Sequence, residues 1–212
     1  MTMTTPGPTP PESEGSRSAG LARRPSDPVP AAARRPSAPA RVFVGIGANL
    51  GEPQAAIDAA QLALRALARR GSFRASSLYR TAPVDATGPD FLNAVATFET
   101  VLSPHALLAQ LHAIEARFGR ERPYRNAPRT LDLDLLLYGV APQAAGAARA
   151  GLRLHDDHLE LPHPRAHLRA FVLAPLAELW PDGEVPGHGP VAGLRDAVRV
   201  AGDQRIERLA PR

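Results

Sequence analysis

Apolar positions recur along this chain in two rhythms, and their order predicts a fold before any chemistry is weighed. From Arg41, "RVFVGIG" is a short β-branched run ending in glycines, which reads as a strand. Residues 53–70 carry Ile57, Ala60, Leu64 and Leu67 at helical spacing, with Pro53 in the first turn and Gly71 after the end. "SFRASSLYRTAP" and "FLNAVATFET" read as two strands joined by the loop at 85–90. Ser103-Pro104 is an N-cap followed by proline at the first helical position, opening a helix to about Phe118. After a loop at 119–129, the apolar run from Leu131 to Tyr138 predicts a buried strand stopped by Gly139. A small-residue loop (140–151) leads to a third helix, "HLRAFVLAPLAEL", with Pro175 inside it. The last thirty residues suggest a short helix near 191–199 and a terminal strand. The order strand–helix–strand–strand–helix–strand is the split βαβ pattern of a ferredoxin-like α+β sandwich, here with C-terminal helical additions. That order leaves function open, because this fold hosts many chemistries, RNA binding among them.

Composition changes the picture at the N-terminus. Nine of the 23 prolines lie in residues 1–40, among alanine, serine, glycine and the pairs Arg23-Arg24 and Arg34-Arg35. Such a segment cannot bury enough apolar surface to offset its ordering entropy, so a disordered tail (1–40) and one folded domain (41–212) are expected. Acidic residues and prolines in the tail argue against a targeting helix. No apolar run approaches the ~20 residues of a membrane span, so no membrane contact and a cytoplasmic location are expected. The chain has no cysteine, which excludes disulfides, thiolate metal sites and cysteine nucleophiles. All 25 basic residues are arginine, which removes a Schiff-base lysine and the lysine of a Walker-type phosphate loop. Arginine instead presents a planar fork suited to carboxylate and phosphate oxygens.

The strand at 131–138 holds the sharpest chemical signal. Asp132 and Asp134 sit two positions apart within it, and carboxylates this close to a core need a cationic partner. Strand side chains alternate, so both carboxylates point one way, roughly 6.6 Å apart, while Leu131, Leu133 and Leu135 enter the core. Two carboxylates at that spacing can hold a hard cation such as magnesium together with phosphate oxygens. Arg120, Arg122, Arg125 and Arg129 in or beside the preceding loop are a candidate clamp for polyphosphate. His163 lies between two prolines on a rigid segment that suits a fixed donor to phosphate or base, and Arg169 follows it. His155, His158, His163 and His167 match no zinc spacing. "GIGANLG" (45–51) has its third glycine one position late for a dinucleotide fingerprint; it is read instead as a tight strand-to-helix turn whose backbone approaches a ligand.

The blocks "GIGANLG", "YRTAPV", "DFLNAV", "APRTLDLDLLLYG" and "LPHPRAHLRAFVLAPLAEL", in that order, resemble the 6-hydroxymethyl-7,8-dihydropterin pyrophosphokinase family of folate biosynthesis over roughly residues 41–180. The resemblance implies transfer of the pyrophosphoryl group of ATP to the pterin's hydroxymethyl oxygen, leaving AMP. It also implies two magnesium ions on Asp132 and Asp134, and catalytic arginines at Arg120 and Arg122. Nucleotide contacts fall at Arg120, Arg129, His163, Arg169 and Glu115. Pterin contacts fall at Gly47, Thr81, Val84, Phe91, Asn93 and Phe171, with Phe91 and Phe171 sandwiching the ring and Asn93 bonding its edge. Phe91 stands where tyrosine is common in the family, and Asn126 where some members have tryptophan. The implied partners are small molecules only, on a monomer without nucleic acid. The competing reading, an RNA-binding domain on the same fold, needs stacking aromatics on the central strands, and the Asp pair repels phosphate unless metal is present.

Overall fold

The computed structural model describes residues 36–83, 88–118, 130–140, 151–202 and 204–210. The expected tail up to residue 35 and the arginine loop 119–129 therefore lie outside the described residues, as do Val84 and the 141–150 segment.

Strand β1 (Ala40–Ala48) leads through a turn at Gly51 to helix α1 (Pro53–Leu67), which has proline at its start. The helix stops short of residue 70 because the Arg69 N–H goes to the Glu99 carbonyl on a neighbouring strand. The expected strand at 72–83 divides into β2 (Arg74–Ala75) and β3 (Tyr79–Thr81). Ser76 marks the break: its N–H still donates to the Val95 carbonyl, but its hydroxyl, in place of its carbonyl, accepts the Val95 N–H and donates to the Ser77 carbonyl. Strand β4 (Phe91–Thr100) follows, then helix α2 (Pro104–Arg117), whose Ser103 cap accepts the Ala106 N–H as its sequence predicts.

Strand β5 (Asp132–Val140) carries the aspartates. Beyond it lie the short pair β6 (Leu154–His155) and β7 (Glu160–Leu161), a turn of 3-10 helix at Ala166–Leu168, and helix α3 (Ala170–Leu179). A second short pair, β8 (Glu184–Val185) and β9 (Gly189–Pro190), precedes helix α4 (Val191–Ala201) and strand β10 (Ile206–Arg208). Among the described residues the main sheet runs β10-β3-β4-β1-β5, antiparallel throughout, with β2 also on β4.

Alternation along the strands gives the sheet two unlike faces. Val42, Val44 and Ile46 of β1, Phe98 of β4 and Leu131, Leu133 and Leu135 beside or on β5 pack against Ile57 and Leu64 of α1 and Leu107 and Leu111 of α2. The other face meets α3 and α4 at one end only, through Phe43, Val95, Leu136, Leu137, Val172 and Leu176. At its other end that face is polar.

Two irregularities in β5 shape this arrangement. Val44 pairs with Leu135 and Phe43 with Leu137, so Leu136 is an extra residue; Val42 pairs with Tyr138 and Arg41 with Val140, so Gly139 is another. These are β-bulges, and Gly139 takes φ +74° at the second. Gly139 therefore bends the strand rather than ending it, contrary to the sequence expectation. The first bulge reverses the alternation. Leu131, Leu133 and Leu135 share the α1/α2 core with Tyr138, which has the opposite parity.

Candidate functional site

The site grows from glycines placed where a strand would normally carry side chains. Gly45 and Gly47 end the strand expected from Arg41, and β1 runs one residue further, to Ala48, because it is paired on both sides, so the turn expected across 45–51 is confined to its last residues. Gly47 pairs with Asn93 of β4 and with Asp132 of β5; Gly45 pairs with Asp134. Without Cβ atoms the two glycines leave a floor between a wall of carboxylates and a wall carrying an amide. An added Cβ at Gly47 would stand 3.2 Å from the Asn93 Oδ1, so glycine keeps that amide in place. Asn93, Asp132, Asp134 and Phe171 of α3 line the resulting cleft with these glycines.

The amide wall is set from behind. Asn93 is 6% exposed, and its Nδ2 donates to the Thr81 Oγ1 at 2.9 Å, which fixes the plane of the carboxamide. Thr81 is thus one step back from the cleft. Phe91 lies two residues before Asn93, on the same face of β4 and opposite Thr81, half-buried at the start of the strand. It is not among the residues lining the cleft.

The carboxylate wall faces one cation, Arg169, and one N–H donor, His163, from the segment before α3. Arg169 brings a guanidinium nitrogen to 3.8 Å and His163 its Nε2 to 3.9 Å from the same Asp134 oxygen, whose side chain is 36% exposed. Both separations are ion-pair distances longer than hydrogen bonds. The bulge builds this contact: the Leu136 carbonyl, off the ladder, accepts the His163 N–H at 2.9 Å. The His163 Nδ1 accepts the Arg165 N–H at 3.1 Å, so in the neutral ring the proton sits on Nε2, facing Asp134. Burial lowers the pKa of His163 while the Asp134 charge opposes it, which leaves the ring a neutral donor near pH 7. The Arg169 guanidinium also lies over the Phe171 ring, 5.3 Å from its centroid.

Glu115 stands apart from the cleft. It is 1% exposed, and its Oε1 accepts the Leu133 N–H at 3.0 Å. Its carboxylate anchors β5 to α2 from the core side and does not line the cleft. Arg120, Arg122, Arg125, Arg129, Asn126 and Val84 lie outside the described residues.

Two contributors were not visible in the sequence. Glu178 of α3 accepts hydrogen bonds from the Ser77 N–H and hydroxyl and from the Tyr79 hydroxyl, with Arg208 of β10 at 3.4 Å. Gln204 bonds backbone on both sides of Arg169. Neither has a local signature, because their partners lie 30 to 101 positions away.

The donor set suits a hard cation. Asp132 and Asp134 offer oxygen on one face of one strand, and magnesium commonly takes one or two carboxylates and completes its shell with phosphate and water. Among the described residues no group of three or more acidic, histidine or cysteine side chains surrounds a common point.

Residues 43–181 match the family profile described as 7,8-dihydro-6-hydroxymethylpterin-pyrophosphokinase (HPPK). The chain is 40% identical over 167 residues to a 2-amino-4-hydroxy-6-hydroxymethyldihydropteridine pyrophosphokinase of Pseudomonas aeruginosa, covering 78% of this chain and 96% of that one. It is 36% identical to the enzyme of the same name from Methylorubrum extorquens, covering 80% and 98%. A crystal structure titled as HPPK-DHPS in complex with substrates superimposes with TM-score 0.57 at 11% identity over 77% of this chain and 44% of that chain, a likeness of fold.

Proposed function

We propose residue roles from the premise that this chain belongs to the 7,8-dihydro-6-hydroxymethylpterin-pyrophosphokinase family and is therefore the ATP-dependent pyrophosphokinase of folate biosynthesis. The supporting observation is the convergence of Gly47, Asn93, Asp132, Asp134 and Phe171 on one cleft. The frame is read as the ferredoxin-like βαββαβ sandwich with C-terminal helical additions; the order of β3, β4, β1 and β5 supports it. The catalytic domain is taken to run from about residue 41 to 212, with 1–40 as a tail.

In the reaction the pterin's hydroxymethyl oxygen bonds to the β-phosphorus of ATP, the bond from that phosphorus to the α,β-bridging oxygen breaks, and AMP leaves. The hydroxyl gives up its proton. Little covalent help is needed, so catalysis rests on alignment and charge neutralisation. Asp132 and Asp134 would hold the magnesium ions. When bound, these supply positive charge to the phosphate oxygens as negative charge shifts between them. Arg169 and the Nε2–H of His163, both directed at Asp134, are placed to donate to the triphosphate. Arg120, Arg122 and Arg129 are assigned the remaining phosphate contacts from the resemblance. Phe171 stacks on one side of the flat pterin and Phe91 on the other, while Asn93, oriented by Thr81, bonds its edge. Phe91 reaches the ring by swinging from the mouth of the cleft, and Val84 extends that mouth. Glu115 serves the nucleotide through the strand it holds.

The RNA-binding reading has no support among these relatives, and the polar face of the sheet presents Asp132 and Asp134 where RNA would need stacking aromatics. The experiment is AMP release from ATP and magnesium with and without the reduced pterin. Release that depends on both supports the assignment; release indifferent to the pterin overturns it.

A further inference from the structure

We propose that Gln204 is a positioning residue for the substrate cleft, clamping the backbone that carries Arg169 and Phe171; this rests on the pterin and phosphate roles assigned above. The residue lies beyond the stretch 43–181 that the family profile covers. Its Oε1 accepts the Ala170 N–H at 2.8 Å, and its Nε2 donates to the Leu168 carbonyl at 2.9 Å. The two bonds bracket Arg169 and fix the peptide planes on either side of it.

Helix α3 needs this support at its first turn. Arg169 is its N-cap, with extended dihedrals (φ −113°, ψ 117°) and no side-chain cap of its own. The Ala170 N–H is one of the first four in the helix, which have no partner within it. A carboxamide arriving from 34 positions away fills that vacancy and also holds the preceding carbonyl. From this clamped residue the guanidinium reaches toward Asp134 at 3.8 Å and over the Phe171 ring at 5.3 Å. A small rotation of the backbone at Arg169 would move a phosphate donor and a stacking ring together, and sites of this kind tolerate only about 0.5 Å.

The segment bearing Gln204 touches the opposite wall as well. Strand β10 follows it directly, and Ile206 pairs with Thr81, the residue that orients Asn93. Arg208 bonds the Ser77 hydroxyl and lies beside Glu178, tying the same strand to α3. The C-terminal strand thus sets the spacing of both walls, one through its ladder and one through Gln204.

The test compares full-length protein with Gln204→Ala, Phe171→Ala and the double variant. Reduced pterin is titrated calorimetrically in magnesium and a non-hydrolysable ATP analogue, alongside melting temperature and amide exchange at Ala170. Gln204→Ala is expected to weaken pterin binding about fivefold, the ratio for one net hydrogen bond. It should speed exchange at Ala170, keep the melting temperature within a few degrees, and add nothing in the Phe171→Ala background. Should the alanine variant unfold, Gln204→Glu, which keeps the acceptor for Ala170 and loses the donor to Leu168, is measured by the same criteria. If Phe171→Ala weakens pterin binding and the Gln204 variant does not, or if the two losses simply add, the positioning role is overturned and the pterin cleft stands. If Phe171→Ala binds pterin like the parent, the cleft assignment fails and the role of Gln204 fails with it.

Discussion

The two faces of the central sheet are made by the same strands and do opposite work. Toward α1 and α2, β1 and β5 present valine, isoleucine and leucine to a closed apolar core. Toward α3, one residue along in each strand, they present glycine and aspartate to a cleft. Leu133 and Asp134 are neighbours in sequence, yet one is 3% exposed in the core and the other faces Arg169 and His163. Period-two alternation lets a single strand separate stability from chemistry, so variants on either side of one peptide bond should fail in different assays.

The largest effect is expected from the cleft side. Asp132→Ala and Asp134→Ala should each lower turnover about 10²- to 10³-fold, or ~3–4 kcal/mol, the scale of removing one charge-stabilising group from a transition state. The melting temperature of Asp132→Ala should hold or rise, because two nearby carboxylates repel in the metal-free protein, whereas Asp134→Ala also gives up the Arg169 contact and should cost no more than about 1 kcal/mol. AMP release and thermal melts on the same preparations decide it: parallel loss of both would make the aspartates structural. Leu133→Ala, one peptide away, should do the reverse, costing about 2–5 kcal/mol in urea unfolding with turnover of the folded fraction retained. A catalytic defect without destabilisation at Leu133 would break the contrast between the faces.

Phe171→Ala comes next, with a loss of about 1–3 kcal/mol in pterin affinity and little change for ATP, as removal of one stacked ring predicts. Equal losses for both ligands in calorimetry would show that the ring supports the whole cleft instead. The smallest effect belongs to the link between α3 and β3. Burial pushes the pKa of Glu178 up, but hydrogen bonds from Ser77 and Tyr79 and the Arg208 charge bring it below the ordinary value of 4.5. A carboxyl lowered by folding stabilises the protein above the unfolded pKa and loses that contribution as pH falls through the folded one. Tyr79 is pushed up to about 12, first by burial and then by Glu178, so its contribution is intact below pH 10 and fades as pH rises toward 12. Melting temperatures of the parent and Glu178→Gln should therefore draw together as pH falls below the ordinary carboxyl value of 4.5. A gap unchanged down to pH 3 would mean that the carboxylate charge is irrelevant there.

What the sequence made legible is local. Ser103-Pro104, the helical spacing from Ile57 to Leu67 and the Asp-x-Asp strand each declare themselves within a dozen residues, because caps and alternation act at short range. The division of residues 72–83 was not legible, since Ser76 breaks the ladder only by bonding Val95 across the sheet. Gly45 and Gly47 were read both as the end of a strand and as the start of a turn, because glycine ends many strands; pairing with both neighbours keeps them extended. The Asp pair declared that it needs a partner, but not that Arg169 and His163 would reach Asp134 from the far side of a loop. Gln204 and Glu178 were missed for the same reason: nothing in a single sequence marks which distant backbone a side chain will meet.

The extra residue at Leu136 makes β5 two half-strands written in opposite phase. A strand of this kind has a reading frame, and its tolerance to change is not that of a regular one. Deleting Leu136 would not shift that frame: Leu135, Leu137 and Tyr138 would stand opposite Val44, Phe43 and Val42 in regular register, each on its present face. What the deletion removes is the off-ladder carbonyl that accepts the His163 N–H. It should therefore lower turnover more than Leu136→Ala, which keeps that carbonyl, and equal turnover of the two variants would show that the bulge does not place His163.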